Sequence, residues 1–297
     1  MVRRPAYKVD AFTRVPLQGN PAGVLPMARG LSEPEMLAVA REMNVSETAF
    51  VLPSREADLR VRFFTPTQEV PLCGHALVAT LTLLHELGEL PLAGDSARVR
   101  VETGAGVIAV DLVRERHGVR VDMTQAPPAF RPFDRPAEDL LEILGASTED
   151  LRADLPLELA YTGLWDLMVP LAGRDALDGL LPDSRALAAL TREVGAVGAY
   201  AFVEEGERFQ CRCFAPAAGI DEDPVTGTSA GAFGAYLLRH GVVRPGVPFI
   251  VSQGEACGRA GTVRVVVEGE VGDPRCIIVG GHAVVSLRGQ LLLEGPA

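Results

Sequence analysis

Arg62-Phe63-Phe64-Thr65-Pro66 and Arg212-Cys213-Phe214-Ala215-Pro216 decide how this chain folds. The second segment follows the first at an offset of 150, with Arg, Phe and Pro in the same places. Working outward, Ala49-Phe50-Val51 recurs as Ala201-Phe202-Val203, an offset of 152. Leu83-Leu84 recurs as Leu237-Leu238, an offset of 154. Each Pro leads into an acid-containing loop, then a Gly (Gly74 and Gly227), then an apolar run. Landmarks in one order, with offsets drifting by a few residues, mark a duplication of half the chain. The period is too long for a solenoid, so it describes two related domains. Two such domains facing one another would make a cleft with two similar half-sites, where a ligand ordinarily binds.

A chain of 297 residues has room for two domains with separate cores. A hydrophobic content of 47% and a charged content of 23% are those of a soluble globular protein. The net charge of −11 comes without any Lys/Arg cluster, which argues against nucleic acid or an anionic membrane as partner. The opening MVRRPAYKVDAFT lacks the continuous apolar core of a secretory signal. The apolar run from Cys276 to Leu287 is too short and Gly-rich to span a bilayer. Five cysteines, an odd number, fit free thiols in a reducing cytoplasm. Cys211 and Cys213 share one face of a strand and have no His nearby in sequence, so two small buried side chains are expected there, not a metal site.

Strand-like runs dominate. In the first half they are Tyr7 to Phe12, Thr48 to Leu52, Leu59 to Thr65, Arg98 to Glu102, Val107 to Leu112 and Gly118 to Met123. Arg98-Val-Arg-Val-Glu102 and Val119-Arg-Val-Asp-Met123 alternate with period two, as half-buried antiparallel strands do. Glu115-Arg-His-Gly118 fits a hairpin turn. The second half repeats the style at Trp165 to Leu171, Ala199 to Glu204, Phe209 to Phe214, Thr262 to Glu268 and Cys276 to Gly280. Helices are expected over Ser32 to Glu42, Pro136 to Leu144 and Ser184 to Val194, each with a polar face. The runs 74–87 and 227–240 are different: small or apolar on nearly every side, each stopping at a Gly, they have the composition of buried helices. The expected fold is α+β, with two pseudo-symmetric domains, each a mostly antiparallel sheet wrapped around a central buried helix. The boundary falls in the proline-rich Gln125-Ala-Pro-Pro-Ala, giving domains 1–124 and 125–282. His282 to Leu292 adds a strand-turn-strand, and residues 283–297 are expected to return to the first domain's sheet.

Each buried helix begins at a polar loop, Leu72-Cys73-Gly74-His75 in one half and Asp223-Pro-Val-Thr226-Gly227-Thr228-Ser229 in the other. Helix starts present unsatisfied N–H groups and a partial positive charge, so a pair of them can hold a carboxylate without an Arg. Asp223, Thr226 and Ser229 would serve equally well as ordinary caps. Cys73 stands where a helix start favours the thiolate, and His75, in the first turn, exchanges protons near neutral pH. Glu47 precedes an apolar strand, and its second-half counterpart, Ala199 or Tyr200 by the Ala-Phe-Val repeat, is not acidic. A carboxylate that breaks the symmetry of a duplicated site is where one-sided chemistry would reside. Gly104-x-Gly106-x-x-Ala109 matches a dinucleotide fingerprint in letters only, because strand residues and no helix follow it. No phosphate loop, zinc ligand spacing or serine nucleophile elbow is present, so proton transfer by side chains is the chemistry left.

Val9-Asp-Ala-Phe12, Gly19-Asn20-Pro21, Ser46-Glu47-Thr-Ala-Phe50, Cys73-Gly-His75, Glu222-Asp-Pro-Val-Thr-Gly227, Gln253-Gly254 and Gly280-x-His-Ala-Val together resemble the PhzF-like phenazine-biosynthesis isomerase family, related to diaminopimelate epimerase. The resemblance spans essentially the whole chain. It implies two similar domains with the site between them, isomerase chemistry without a cofactor or metal, and a homodimer. It makes Glu47 the general acid/base acting on a small carboxylate, with His75 and Asp223 as polar partners. Asn20, Gly74, Gly227, Thr228 and Ser229 are the corresponding substrate-binding positions. In the epimerase relatives a Cys from each domain flanks the substrate carbon; here Cys73 takes the first place, and the second domain offers Asp223-Pro-Val-Thr226. Two other readings stand beside the Glu47 isomerase: a Cys73-based amino-acid epimerase, and a non-catalytic carboxylate-binding protein.

Overall fold

A computed structural model describes residues 2–293. The chain divides into two units, Met1–Met123 with Gly280–Ala297, and Thr124–Val279. In the first unit, β1 (Val2–Ala11) and β2 (Asn20–Leu25) pair antiparallel. Helix α1 (Glu33–Met43) then carries the chain to β3 (Glu47–Leu52), parallel to β2. A parallel neighbour needs such a crossover, since no hairpin can return the chain in the same direction. β4 (Leu59–Phe64) pairs antiparallel with β3, and the two-residue β5 (Glu69–Val70) folds back on β4. Helix α2 (Gly74–Glu86) leads to β6 (Ser96–Thr103), parallel to β4. β6, β7 (Gly106–Glu115) and β8 (Gly118–Thr124) form an antiparallel meander. Its last turn is the expected one, with Glu115 opposite Gly118.

The two helices of this unit differ for reasons visible in their sequences. α1 buries only Met36, Val39, Ala40 and Met43, which pack with Leu25, Phe50 and Phe64. Its start is fixed by the Ser32 N–H donating to Glu35 Oε2 at 2.7 Å, and its end by Asn44 in the left-handed region at φ 48°. α2 is buried at every position from Ala76 to Leu84. Its interior Thr80 returns a hydrogen bond to Ala76 O at 2.7 Å, whereas the buried hydroxyl of Thr82 has no partner. Phe50 and Phe64 belong to the α1 face of the sheet. Side chains alternate across a strand, so Glu47, Ala49 and Val51 belong to the opposite face.

The second unit repeats the scheme with more helices. β9 (Ala129–Pro132) is followed by α3 (Ala137–Leu144), and β10 (Glu158–Tyr161) pairs antiparallel with β9 and with β11 (Trp165–Pro170). α4 (Arg174–Asp178) and α5 (Ser184–Val194) cross to β12 (Gly198–Glu205), parallel to β11. β13 (Arg208–Ala215) is antiparallel to β12 and carries the short β14 (Ile220–Asp223). α6 (Gly227–Arg239) leads to β15 (Phe249–Gln253), parallel to β13, and then to the antiparallel β16 (Gly261–Glu270) and to β17 (Asp273–Gly281). From β10 to β16 the pairings therefore run antiparallel, parallel, antiparallel, parallel, antiparallel, as they do from β1 to β7.

α3 and α5 cover one face of this sheet through Leu140, Leu144, Leu187 and Leu190, packed with Leu167, Val169, Ala201 and Phe214. α6 is buried, with Phe233 at the centre of an aromatic cluster: its ring centroid lies 4.5 Å from Phe202, 5.3 Å from Phe209 and 5.6 Å from Tyr200. The next residue, Gly234, lets the helix approach β16, for a Cβ there would lie 2.6 Å from Val265 Cγ1.

The final strand, β18 (Ala283–Leu293), pairs antiparallel with β1 along nearly its whole length, from Ala11↔Ala283 to Val2↔Leu293. In the first unit it takes the place that β9 takes beside β10. The expected strand-turn-strand at His282 to Leu292 is thus one strand. Continuous pairing with β1 replaces the expected turn, and the irregularity is a bulge at Ser286, whose Oγ donates to Lys8 O at 3.2 Å. Residues 294–297 of the expected return lie outside the described residues. Among the described residues, no helix is long and apolar enough to cross a membrane.

Candidate active site

The duplicated Arg residues brace the loops that lead into the two buried helices. Arg62 donates to both carboxylate oxygens of Glu69 on β5, at 2.7 and 2.5 Å, and its guanidinium lies 5.1 Å from the Phe64 ring centroid. Arg212 does the same to Glu222 on β14, at 2.9 and 2.8 Å, and lies 4.8 Å from the Phe214 ring centroid. Both pairs are bidentate, so they fix orientation as well as charge; Arg212–Glu222 is largely screened from water, whereas Glu69 is exposed. The hydrogen bonds to Glu69 and Glu222 hold both guanidiniums charged.

In the first unit the loop delivers Cys73 as the N-cap of α2. The Cys73 side chain makes no cap hydrogen bond, and the first-turn N–H groups have no acceptor within the helix. His75 turns back across this start: its Nδ1 lies 3.3 Å from Cys73 Sγ. Its Nε2 lies 3.4 Å from Glu47 Oε2 and 3.3 Å from Ser46 Oγ. The His75 and Glu47 side chains are only 11% and 17% exposed, so a carboxylate, an imidazole and a thiol share one small, poorly hydrated volume at a helix start. Glu47 opens β3 opposite Ala22 of β2, and Asn20, buried at the start of β2, belongs to the same face two residues earlier. Glu47, Cys73 and His75 each offer a metal-ligating atom, all within 4.8 Å of one another, a grouping that their sequence spacing conceals.

Strand register corrects the expected counterpart of Glu47. Thr48 lies opposite Phe64 and Ala199 opposite Phe214, and the two Phe residues are copies, so Glu47 matches Gly198 and neither Ala199 nor Tyr200. The Ala-Phe-Val repeat is one residue out of register with the strands that carry it. A Cβ at Gly198 would lie 2.4 Å from Phe214 O, so this position of the second unit admits no side chain at all.

In the second unit Thr226 is the N-cap of α6, the place Cys73 holds in α2. Its hydroxyl is engaged with Asp223 Oδ2. The Gln253 amide, buried at 1% exposure, organises this start: Nε2 donates to Asp223 O at 2.8 Å and to Thr226 Oγ1 at 3.2 Å. Gln253 Oε1 accepts from the Thr226 N–H at 3.3 Å and from the Tyr200 hydroxyl at 3.1 Å. Thr228 lies in the first turn, its carbonyl accepting from Thr162 Oγ1 at 3.2 Å. Ser229 points inward and donates to Asp166 Oδ2 at 2.7 Å. Asp166 is fully buried, and burial pushes its carboxyl up to about 7, the Ser229 hydrogen bond opposing and the charge of Asp223 adding to the rise. Cys211 and Cys213 are buried and kept as thiols by desolvation.

Each unit therefore gathers part of the expected set: Glu47, Cys73, Gly74 and His75 with Ser46 in one, Asp223, Gly227, Thr228 and Ser229 with Gln253 and Asp166 in the other. Ser46 and Gln253 stood in the motifs without an assigned role. Asp166 gave no signal, because an acid inside an apolar strand is indistinguishable in sequence from a surface acid.

By likeness the chain is an isomerase. It is 40% identical over 292 residues to an uncharacterized isomerase of Deinococcus radiodurans, covering 95% of this chain and 92% of the other. It is 36% identical over 287 residues to the trans-2,3-dihydro-3-hydroxyanthranilate isomerase of Pseudomonas fluorescens, covering 96% and 98%. The crystal structure of a PhzF-family phenazine biosynthesis protein from Bacillus anthracis matches with a TM-score of 0.91 at 32% identity, covering 99% and 100%. The chain belongs to the PhzC/PhzF family of phenazine biosynthesis-like proteins, whose model matches residues 9–289.

Proposed function

We propose that this isomerase moves a proton on a small carboxylic acid, with Glu47 as the general acid/base and no cofactor. The observation that carries the reading is the 3.4 Å approach of Glu47 to His75 beside the uncapped start of a buried helix. Glu47 takes a proton from one carbon of the substrate and returns it to another, so no net proton is consumed. His75 and Ser46 orient the carboxylate of Glu47 and steady its charge as it changes. In the first unit the helix-start amides at Gly74-His75 bind the substrate carboxylate, with Asn20 as a further polar contact; in the second unit Gly227-Thr228 and Asp223 are the corresponding substrate-binding positions. Ser229, whose hydroxyl is held by Asp166, contributes its backbone N–H. The anthranilate named for the Pseudomonas fluorescens relative is a carboxylic acid, which supports this substrate class.

A second reading makes Cys73 the base, favoured by its 3.3 Å approach to His75 Nδ1. Against it, Thr226 holds the matching N-cap, so a two-thiol racemase lacks its second thiol. Exchange of substrate hydrogen with deuterated water separates the two. General acid/base catalysis contributes on the order of 10²–10⁴-fold, so Glu47→Gln should lose at least that much exchange while Cys73→Ala keeps part of it. An inactive Cys73→Ala beside an active Glu47→Gln would transfer the role to the thiol.

A further inference from the structure

We propose that Asp166 is a positioning residue of the second unit: through Ser229 it holds the first turn of α6, and its charge state tunes that helix start for an anion. The duplication isolates this pair. Glu47 matches Gly198, Ala22 lies opposite Glu47 and Asp166 lies opposite Gly198, so Asp166 stands where the first unit has Ala22. Counted from the N-caps Cys73 and Thr226, Ser229 stands where the first unit has Ala76. All four side chains are buried, Ala22 and Ala76 at 0% exposure, Asp166 and Ser229 at 1%. The same architecture is built once with two methyl groups and once with a carboxyl that accepts from a hydroxyl at 2.7 Å. Packing does not require the polar pair, and burying it costs free energy that one hydrogen bond only partly offsets.

The groups that act on this carboxyl are Ser229 on α6, Tyr200 on β12, Cys213 on β13 and Asp223 at the end of β14. None is a cation. Burial keeps Tyr200 and Cys213 neutral and holds the Asp166 proton up to about pH 7, with the charge of Asp223 adding to the effect. Below that pH the α6 start offers its partial positive charge undiminished. Above it, a carboxylate bonded to the same turn opposes any second anion. The proposal rests on the reading that Gly227-Thr228 meet an anionic group of the substrate. Affinity for that group is then full below neutrality and falls as pH rises through about 7. Linkage is reciprocal, so a tenfold loss of anion affinity corresponds to a rise of about one unit in the Asp166 pKa when the anion binds.

The test titrates wild type, Asp166→Asn and the double variant Asp166→Ala/Ser229→Ala with benzoate, a stable carboxylate that stays ionised between pH 6 and pH 9. Binding is followed at the amide resonances of Gly227 and Thr228. In the wild type the dissociation constant should rise about tenfold across that range, whereas in Asp166→Asn it should stay at the low-pH value throughout. The double variant has the side chains that the first unit already uses, so it serves if Asp166→Asn fails to fold. It should bind independently of pH, and more weakly than Asp166→Asn, which keeps an acceptor for the Ser229 hydroxyl. Saturating benzoate should raise the midpoint of the Asp166 carboxyl ¹³C titration by about one unit. A purely structural Asp166 predicts equal pH dependence in all three proteins, and that result would overturn the proposal. A midpoint unmoved by benzoate bound at Gly227 and Thr228 would overturn it too, while leaving the reading of the α6 start as an anion site intact. Benzoate that perturbs Gly74 and His75 but neither Gly227 nor Thr228 would defeat that reading, and this proposal with it.

Discussion

Asp166 should make the second unit less stable as pH rises through neutrality, and Asp166→Asn should remove that dependence. In the fold the carboxyl stays protonated up to about pH 7, against an ordinary value of 3.8. Between those values the native state binds one more proton than the unfolded chain, so stability falls as pH rises. Each pH unit is worth about 1.4 kcal/mol, and the window of roughly three units about 4 kcal/mol. Below the window both states are protonated and the term vanishes; above it the penalty is constant. Asparagine keeps an acceptor for the Ser229 hydroxyl and has no charge to bury. The gain from Asp166→Asn should therefore grow from near zero or slightly negative at pH 4 to a few kcal/mol at pH 8. The single Trp of the chain, Trp165, sits beside Asp166 on β11, so denaturant unfolding followed by its fluorescence reports this unit. Equal pH dependence in wild type and Asp166→Asn would refute the reasoning, since the surface carboxylates common to both would then carry all of it.

Phe233→Ala empties the centre of the α6 aromatic cluster and should cost about 3–5 kcal/mol in the same fluorescence assay. Gly234→Val drives a side chain into Val265 and should destabilise by about 1–3 kcal/mol without opening a cavity. Gln253→Leu strands the Thr226 N–H and the Tyr200 hydroxyl, each worth about 1–3 kcal/mol if unsatisfied, and should also slow substrate exchange. An unchanged Gln253→Leu protein would show that the α6 start is held by other contacts.

The duplication was legible because it is written in residues that packing and ion pairing cannot exchange: an Arg clasping an acid, a Phe beneath it, a Pro at the strand end. The buried helices were legible from the absence of charge between Gly74 and Leu84, and again between Gly227 and Leu238. The counterpart of Glu47 was misplaced because letters repeat at one offset and hydrogen-bond ladders at another. Only the ladder shows that Gly198 occupies the position, and only the approach of Phe214 O shows why nothing larger does. The turn expected within His282 to Leu292 failed for a related reason: propensity is local, whereas β18 is held by a partner at the far end of the sequence. Ser46 and Gln253 act through side-chain hydrogen bonds, which leave no periodic trace.

That distant partnership has a consequence for how the chain assembles. Ser286 and Lys8, bonded across β18 and β1, are 278 residues apart. For a flexible chain, closing a loop of that length costs about 5 kcal/mol, a cost that falls once the intervening segment has condensed. The second unit is contiguous and can fold from its own residues, whereas the first unit leaves one edge of β1 unpaired until β18 has been synthesised. On the ribosome, the half encoded first should be the half completed last. During that interval the exposed edge of β1 is the surface most open to mispairing with another nascent chain.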